Sequence, residues 1–223
     1  MLYNGSPRGR ISNTAILLDH FIRGFKASEE NSFELMYLNQ VKSHQDFAEK
    51  FRNAQAAIIA FPLYGDSMPT IVKDFIETLG TKIDSGKTPM LPALGFIIQS
   101  GFPEAIHSRY IEKYCEKLAL RLGTRYIGTV IRGGVEGIQI KPLFLNRRLF
   151  IAFSSLGRHF GVTKEFHPII TRKLAGRDKM SALGRFMFHI LKMTGLADMY
   201  WKMNLKKHGA YNRRFDQPYK PAL

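Results

Sequence analysis

The stretch AAIIAF, residues 56–61, constrains this chain more than any other. All six residues are apolar, and the run is too short for a buried helix. It lies between a polar helical pattern and a loop carrying Pro and Gly. Such a run reads as a parallel strand covered on both faces. The surrounding sequence repeats the same alternation. MLY, FELMYLN, LPALGFIIQS and RYIGTVIRGG are strand-like. SNTAILLDHFIRGFKAS, HQDFAEKFRNAQ, PTIVKDFIETLGTKI and AIHSRYIEKYCEKLALRLG carry helical periodicity. In the first of these, Ile16, Leu17, Phe21, Ile22 and Phe25 share one stripe, and Ser12 suits the N-cap. Pro69 suits the first turn of the third. Five strands alternating with four helices, joined by right-handed crossovers, predict a doubly wound α/β fold with helices on both faces of a parallel sheet.

In that class the ligand sits beyond the carboxyl ends of the strands, so the loops after the first, third and fourth strands carry the function. The first is NGSPRGRISNT, residues 4–14. It runs from a strand into a helix N-terminus, where free N–H groups and the dipole favour an anion. Gly5 allows a sharp turn. Ser6, Ser12, Asn13 and Thr14 supply short donors, and Arg8 or Arg10 supplies charge. The loop is not a Walker loop, which needs GxxxxGK[ST], and it lacks GxGxxG. The third strand leads into FPLYGDSMP and the fourth into QSGFPE, two further turns with exposed amides and an aromatic each. A flat, polar-edged ring with a phosphate tail fits three such loops.

Other chemistries are excluded by residue type. The single cysteine rules out a disulfide framework and a cysteine-ligated cluster within one chain. The seven histidines form neither HExxH nor a close pair, which argues against zinc. Cys115 and Arg121 match a C-x5-R phosphatase pattern but fall inside a continuous helical pattern, so Cys115 is expected to be a small buried residue. Glu104 reads as a residue of a helix's first turn rather than a catalytic acid. No apolar run approaches membrane-spanning length and no signal-peptide core is present, so a soluble, cytoplasmic protein is expected.

NGSPRGRISNT, PLYGDSMPTIVKDFIE and QSGFPE together resemble the flavodoxin-like, FMN-dependent NAD(P)H oxidoreductases, the NADPH-dependent FMN reductase and quinone reductase group. The resemblance covers about residues 1–135. It implies a sheet of order 2-1-3-4-5 and FMN as cofactor. By this resemblance Ser6, Arg8, Ser12, Asn13 and Thr14 bind the FMN phosphate. Pro62, Leu63, Tyr64 and Gly65 line the isoalloxazine ring, and Ser100, Gly101 and Phe102 meet its pyrimidine side. Asp66 and Met68 sit at the rim. No catalytic side chain is implied, because flavin N5 carries hydride from NAD(P)H to a quinone, flavin or similar small acceptor. The first strand, three or four residues long, is shorter than usual. A homodimer is the expected assembly, as in many members of the group.

Charge divides the chain. Residues 1–138 hold 16 Lys and Arg against 14 Asp and Glu, whereas residues 139–223 hold 17 against 4. The expected organisation is a flavodoxin-like domain over 1–138 and a basic, apolar-helical extension over 139–223. In the extension, PLFLNRRLFIAFSSLGRHFG and SALGRFMFHILKMTGLADMYWKMNLKKHG read as helices, followed by the extended tail NRRFDQPYKPAL. Arg185, His189, Lys192, Asp198, Lys202 and Lys206 mark a narrow polar stripe on the second helix. Its wide apolar face calls for cover by its own domain, a twin subunit or a membrane surface. The rival to an enzyme is an electron-transfer or docking module whose basic extension engages an acidic protein, a membrane surface or a nucleic acid. No recognised motif supports the nucleic acid. A third use of the extension is a lid or dimer arm whose cations attract the phosphates of NADPH.

Overall fold

The structure, a computed structural model, describes residues 1–27, 30–84, 91–195, 198–217 and 219. Expectations for Ser28, for residues 196–197 and for the tail at 218 and 220–223 lie outside the described residues. Contacts divide the chain into two compact units, Met1–Lys179 and Met180–Leu223.

The first unit is built on five parallel strands in the order β2-β1-β3-β4-β5: β1 Leu2–Asn4, β2 Leu35–Tyr37, β3 Ala56–Pro62, β4 Ala93–Gln99 and β5 Tyr126–Arg132. The crossovers are α1 Asn13–Phe25, α2 His44–Arg52, α3 Thr70–Asp84 and α4 Ile106–Arg121. Two more helices, α5 Leu143–Thr163 and α6 Pro168–Ala175, complete the unit. This is the flavodoxin-like topology.

The apolar runs of β3 and β4 bury almost every residue because both faces are covered. The side-chain period of two sorts them. Ala57, Ile59 and Phe61 join Phe96 and Ile98 under Phe47, Phe51, Val72, Phe75, Leu79 and Ile111, on the face of α2, α3 and α4. Ile58 and Ala60 join Leu2, Ile97 and Val130 under α1, α5 and α6, through Leu17, Phe21, Phe153, Leu156 and Leu174. Tyr3 is fully buried, its hydroxyl donating to the Phe47 carbonyl at 3.1 Å, and burial pushes its pKa up.

The compact unit therefore runs past the 138/139 boundary expected from charge. Charge marks what faces solvent: α5 exposes Arg147, Arg148 and Arg158, while its Phe153, Leu156 and Phe160 enter the core. The close approach of α5 to α1 is set by glycine: a Cβ on Gly157 would lie 1.9 Å from the Phe21 carbonyl oxygen, and one on Gly24 would lie 1.8 Å from that of Ser154. Helix α6 was not anticipated. His167 caps it, its Nδ1 accepting from Ile169 N at 3.2 Å, with Pro168 in the first turn.

In the second unit the single long helix expected after Ser181 is two, α7 Ala182–Met193 and α8 Met199–Lys207. Gly195 has φ +70°, which a continuing right-handed helix does not allow. The polar stripe breaks with it: Arg185, His189 and Lys192 stay on α7, Asp198 precedes α8, and Lys202 and Lys206 ride on α8.

Candidate functional site at the carboxyl edge of the sheet

Strands β1, β3 and β4 are neighbours and parallel, so the loops that leave their carboxyl ends share one edge. The first loop is anchored where Gly5 N donates to the Ala60 carbonyl at 2.7 Å. Its shape is set by Asn4, fully buried at the end of β1. The Asn4 side-chain amide donates to the Gly9 carbonyl and to Ser12 Oγ, each at 3.3 Å, and its Oδ1 accepts from Ser6 N at 2.9 Å. Asn favours such local turns because its side chain mimics a peptide group. Sequence reading missed this role; the signal was an Asn directly before the Gly-Ser turn.

Ser12 is the N-cap of α1, as its position suggested. Its Oγ accepts from Ala15 N at 3.1 Å and donates to the Gly9 carbonyl at 2.6 Å. Ile16 N donates to the Ser12 carbonyl. Of the four first-turn N–H groups, those of Asn13 and Thr14 are left without a protein partner among the described residues. On the same loop and helix start the side chains of Ser6 and Thr14 are buried. Thr14 Oγ1 accepts from Gln99 Nε2 at 3.4 Å, which leaves its own proton to donate. Arg8 is exposed and pairs with no carboxylate among the described residues, whereas Arg10 lies over the Tyr37 ring at 5.1 Å. Two free N–H groups, two hydroxyls, a helix dipole and one free guanidinium are groups of the kind that receive a multiply charged oxyanion.

The second loop begins where Leu63 N donates to the Gln99 carbonyl at 2.8 Å. Tyr64 and Ser67 then exchange two backbone hydrogen bonds, at 2.9 and 3.1 Å. Between them Gly65 and Asp66 have φ +53° and +63°, the signature of a two-residue type I′ turn. Asp tolerates this region better than most residues with a Cβ. The tight hairpin projects Tyr64, half exposed, off the sheet edge, next to buried Pro62 and half-buried Leu63.

The third loop is held where Ser100 N donates to the Arg132 carbonyl at 3.0 Å and Ser100 Oγ donates to the Phe102 carbonyl at 3.0 Å. Gly101 and Phe102 are exposed, and the Phe102 ring packs at 4.6 Å from that of His107. Glu104 sits just before α4 with an oxygen 3.7 Å from His107 Nε2. At the base of this loop Arg132 ends β5. It is partly buried, donates to the Leu174 carbonyl in the last turn of α6 at 3.4 Å, and has its pKa lowered by that burial.

A fourth loop, residues 133–141, was not anticipated as part of the edge. Gly134 N donates to the Phe102 carbonyl and Val135 N to that of Ser100. The Asn13 side-chain amide donates to the Val135 carbonyl at 3.0 Å. Gln139 Nε2 in turn donates to Asn13 Oδ1 at 2.8 Å and to the Ile11 carbonyl at 3.0 Å. The Asn13 side chain is thus a brace between α1 and this loop, and its backbone N–H has no protein partner among the described residues. The glycine pair in RGGVEG was the available signal.

All twelve sequence-selected residues stand on this edge: Ser6, Arg8, Ser12, Asn13 and Thr14 on the first loop, Pro62 to Gly65 on the second, Ser100 to Phe102 on the third. Cys115 stands apart, fully buried inside α4, where burial pushes its thiol pKa up. Arg121 is the last residue of the same unbroken helix, so no phosphate-wrapping loop joins the two.

No family model and no curated protein matches this chain. Solved structures do. An NAD(P)H:quinone oxidoreductase from Methanothermobacter marburgensis aligns with a TM-score of 0.53 at 15% identity, over 74% of this chain and 96% of that one. The Trp repressor binding protein from Bacillus subtilis aligns at 0.52 with 21% identity, over 69% and 94%. An FMN-dependent NADH-azoreductase from Bacillus anthracis, in complex with FMN, aligns at 0.51 with 13% identity, over 72% and 97%. At these identities the likeness establishes the flavodoxin-like fold.

Proposed function

We propose that this chain is an FMN-dependent NAD(P)H oxidoreductase that passes hydride from a nicotinamide to a quinone or a similar small acceptor. One observation carries the reading. An oxyanion position at the N-terminus of α1 lies on the same sheet edge as two turns that expose Tyr64 and Phe102. A phosphate and a flat ring on one ligand satisfy both halves of that edge. Proteins of similar fold, an FMN-dependent NADH-azoreductase and an NAD(P)H:quinone oxidoreductase, support the same choice.

The residues present fit FMN. Ser6, Thr14, Arg8 and the N–H groups of Asn13 and Thr14 would hold the phosphate. Ser12 would act by capping and shaping the loop, and Asn13 would add its brace to Val135. Pro62, Leu63, Tyr64 and Gly65 would lie against the ring, and Ser100, Gly101 and Phe102 would meet its pyrimidine edge. When bound, the flavin supplies the hydride chemistry at N5, so the protein needs no nucleophile of its own. The chain would hold the ring against Tyr64, with Phe102 at its pyrimidine edge, and would admit the nicotinamide and then the acceptor in turn.

Titration with FMN tests the reading. Quenching of flavin fluorescence with a perturbed visible spectrum is expected, and unquenched flavin with an unchanged spectrum would remove FMN from the proposal. Arg8→Ala and Thr14→Ala should each weaken FMN binding about tenfold or more, the usual cost of a lost hydrogen bond to a charged group. Turnover at saturating FMN should change far less. Consumption of NADH or NADPH only when a quinone is supplied would then support the reductase assignment.

A further inference from the structure

The second unit exposes side chains that a water-facing helix does not normally carry. In α7, Leu183, Phe186, Met187, Phe188 and Met193 are each at least half exposed, and no residue of the helix is buried. At 3.6 residues per turn Arg185, His189 and Lys192 fall within an arc of about 60°. The apolar residues from Met193 through Phe186 and Ile190 to Leu191 span about 160° on the other side, with Phe188 beside the basic arc. In α8 and the following turn Trp201, Met203 and Phe215 are also more than half exposed. An apolar surface of this extent marks a site of interaction.

Charge identifies what covers it. Residues 180–217 hold seven Lys and Arg against two Asp, a net +5. None of these cations pairs with a carboxylate among the described residues. Arg214 instead lies over the rings of Tyr211 and Phe215 at 4.1 and 4.6 Å, and Lys206 over Tyr211 at 5.2 Å. A second copy of the chain would bring the same net +5 to the contact, which like charge opposes. A nucleic acid would meet the cations and leave the Phe, Met and Leu side chains without a partner. No helix among the described residues is long and apolar enough to cross a membrane. A short helix with Phe, Leu and Met on one side and Arg and Lys on the other lies in the plane of a lipid–water interface. We propose that residues 180–217 dock this protein on an anionic phospholipid surface, α7 sinking its apolar arc among the acyl chains while Arg185, Lys192 and Lys202 meet the headgroup phosphates.

The inference is independent of the proposed flavin chemistry, and its test uses the full chain. Trp201 is the only tryptophan, so its emission reports on this unit alone. Vesicles of phosphatidylcholine mixed with phosphatidylglycerol should sediment the protein and shift Trp201 emission to the blue. Vesicles of phosphatidylcholine alone should do so weakly, and raised salt should reverse the binding. Lys192→Glu with Lys202→Glu should weaken binding to the anionic vesicles by about thirtyfold or more, each headgroup-facing cation accounting for roughly fivefold. Leu183→Gln with Phe186→Gln should abolish the blue shift; an unchanged far-ultraviolet spectrum would show that the fold survives. Equal binding to neutral and anionic vesicles, or no binding to either, would overturn the proposal. So would self-association in lipid-free solution that Leu183→Gln with Phe186→Gln dissolves, an outcome that assigns the face to a second copy.

Discussion

Helices α5 and α7 are both apolar, both basic, and both come from the charged carboxyl-terminal part of the chain, yet they end in opposite environments. Helix α5 buries Phe153, Leu156 and Phe160 against α1 and the sheet. Helix α7 buries nothing. Composition does not separate them. The difference lies in the spacing of small residues: Gly157 and Gly161 clear a flat strip on α5 on which Phe21 and Phe25 of α1 rest. In α7 the one glycine, Gly184, meets the side chains of Met180 and Ser181, just before the helix. An apolar helix becomes core only where a partner can approach its backbone.

The contrast can be broken by mutation. The largest effect is expected from Phe153→Ala, which opens a cavity under α5. Unfolding in urea should show a loss of about 4 kcal/mol; a loss below about 1 would mean that α5 is not part of the core. Gly157→Ala should cost about 3 kcal/mol, because the new methyl meets a backbone carbonyl that cannot rotate away. A neutral result would show that the two helices separate easily. Asn13→Ala should cost about 1–2 kcal/mol, since it removes two hydrogen bonds and leaves the Val135 carbonyl with Ile138 N alone and the Gln139 amide with the Ile11 carbonyl alone. The same variant should weaken FMN binding through loss of the brace, although the Asn13 N–H remains. Phe186→Ala on α7 is the matched control for Phe153→Ala. It should change stability by less than about 0.5 kcal/mol in lipid-free solution, and a loss near that of Phe153→Ala would show that α7 is packed after all.

Much of the fold is legible in the residues. The runs at 56–61 and 93–98 read as strands because a strand covered on both faces makes use of six successive residues without a polar side chain between turns. Ser12 announces the start of α1 because its hydroxyl reaches the Ala15 N–H at the spacing of a cap. The loop at 4–14 is legible for the same reason: glycine, short hydroxyls and an N-cap are local chemistry. What escaped was non-local. The Gln139 amide reaches back to Asn13 across 126 positions, and no periodicity encodes such a pairing. Helix α6 escaped because eight residues are too few for a clear stripe. The break between α7 and α8 escaped because a lone glycine within a helical pattern has two readings, and its φ decides between them.

The sequence by itself determined the alternation of strands and helices, the cap of α1, and the turn-forming loops at 4–14, 62–69 and 99–104. All of these follow from interactions within a few residues of one another. Tertiary structure decided that α5 and α6 join the sheet domain and that α7 stays uncovered. It also decided that Asn13 serves as a brace and that the loop after β5 laces the site together. Each of those outcomes depends on which distant backbone comes within contact range. That is a property of packing, and chain order does not record it.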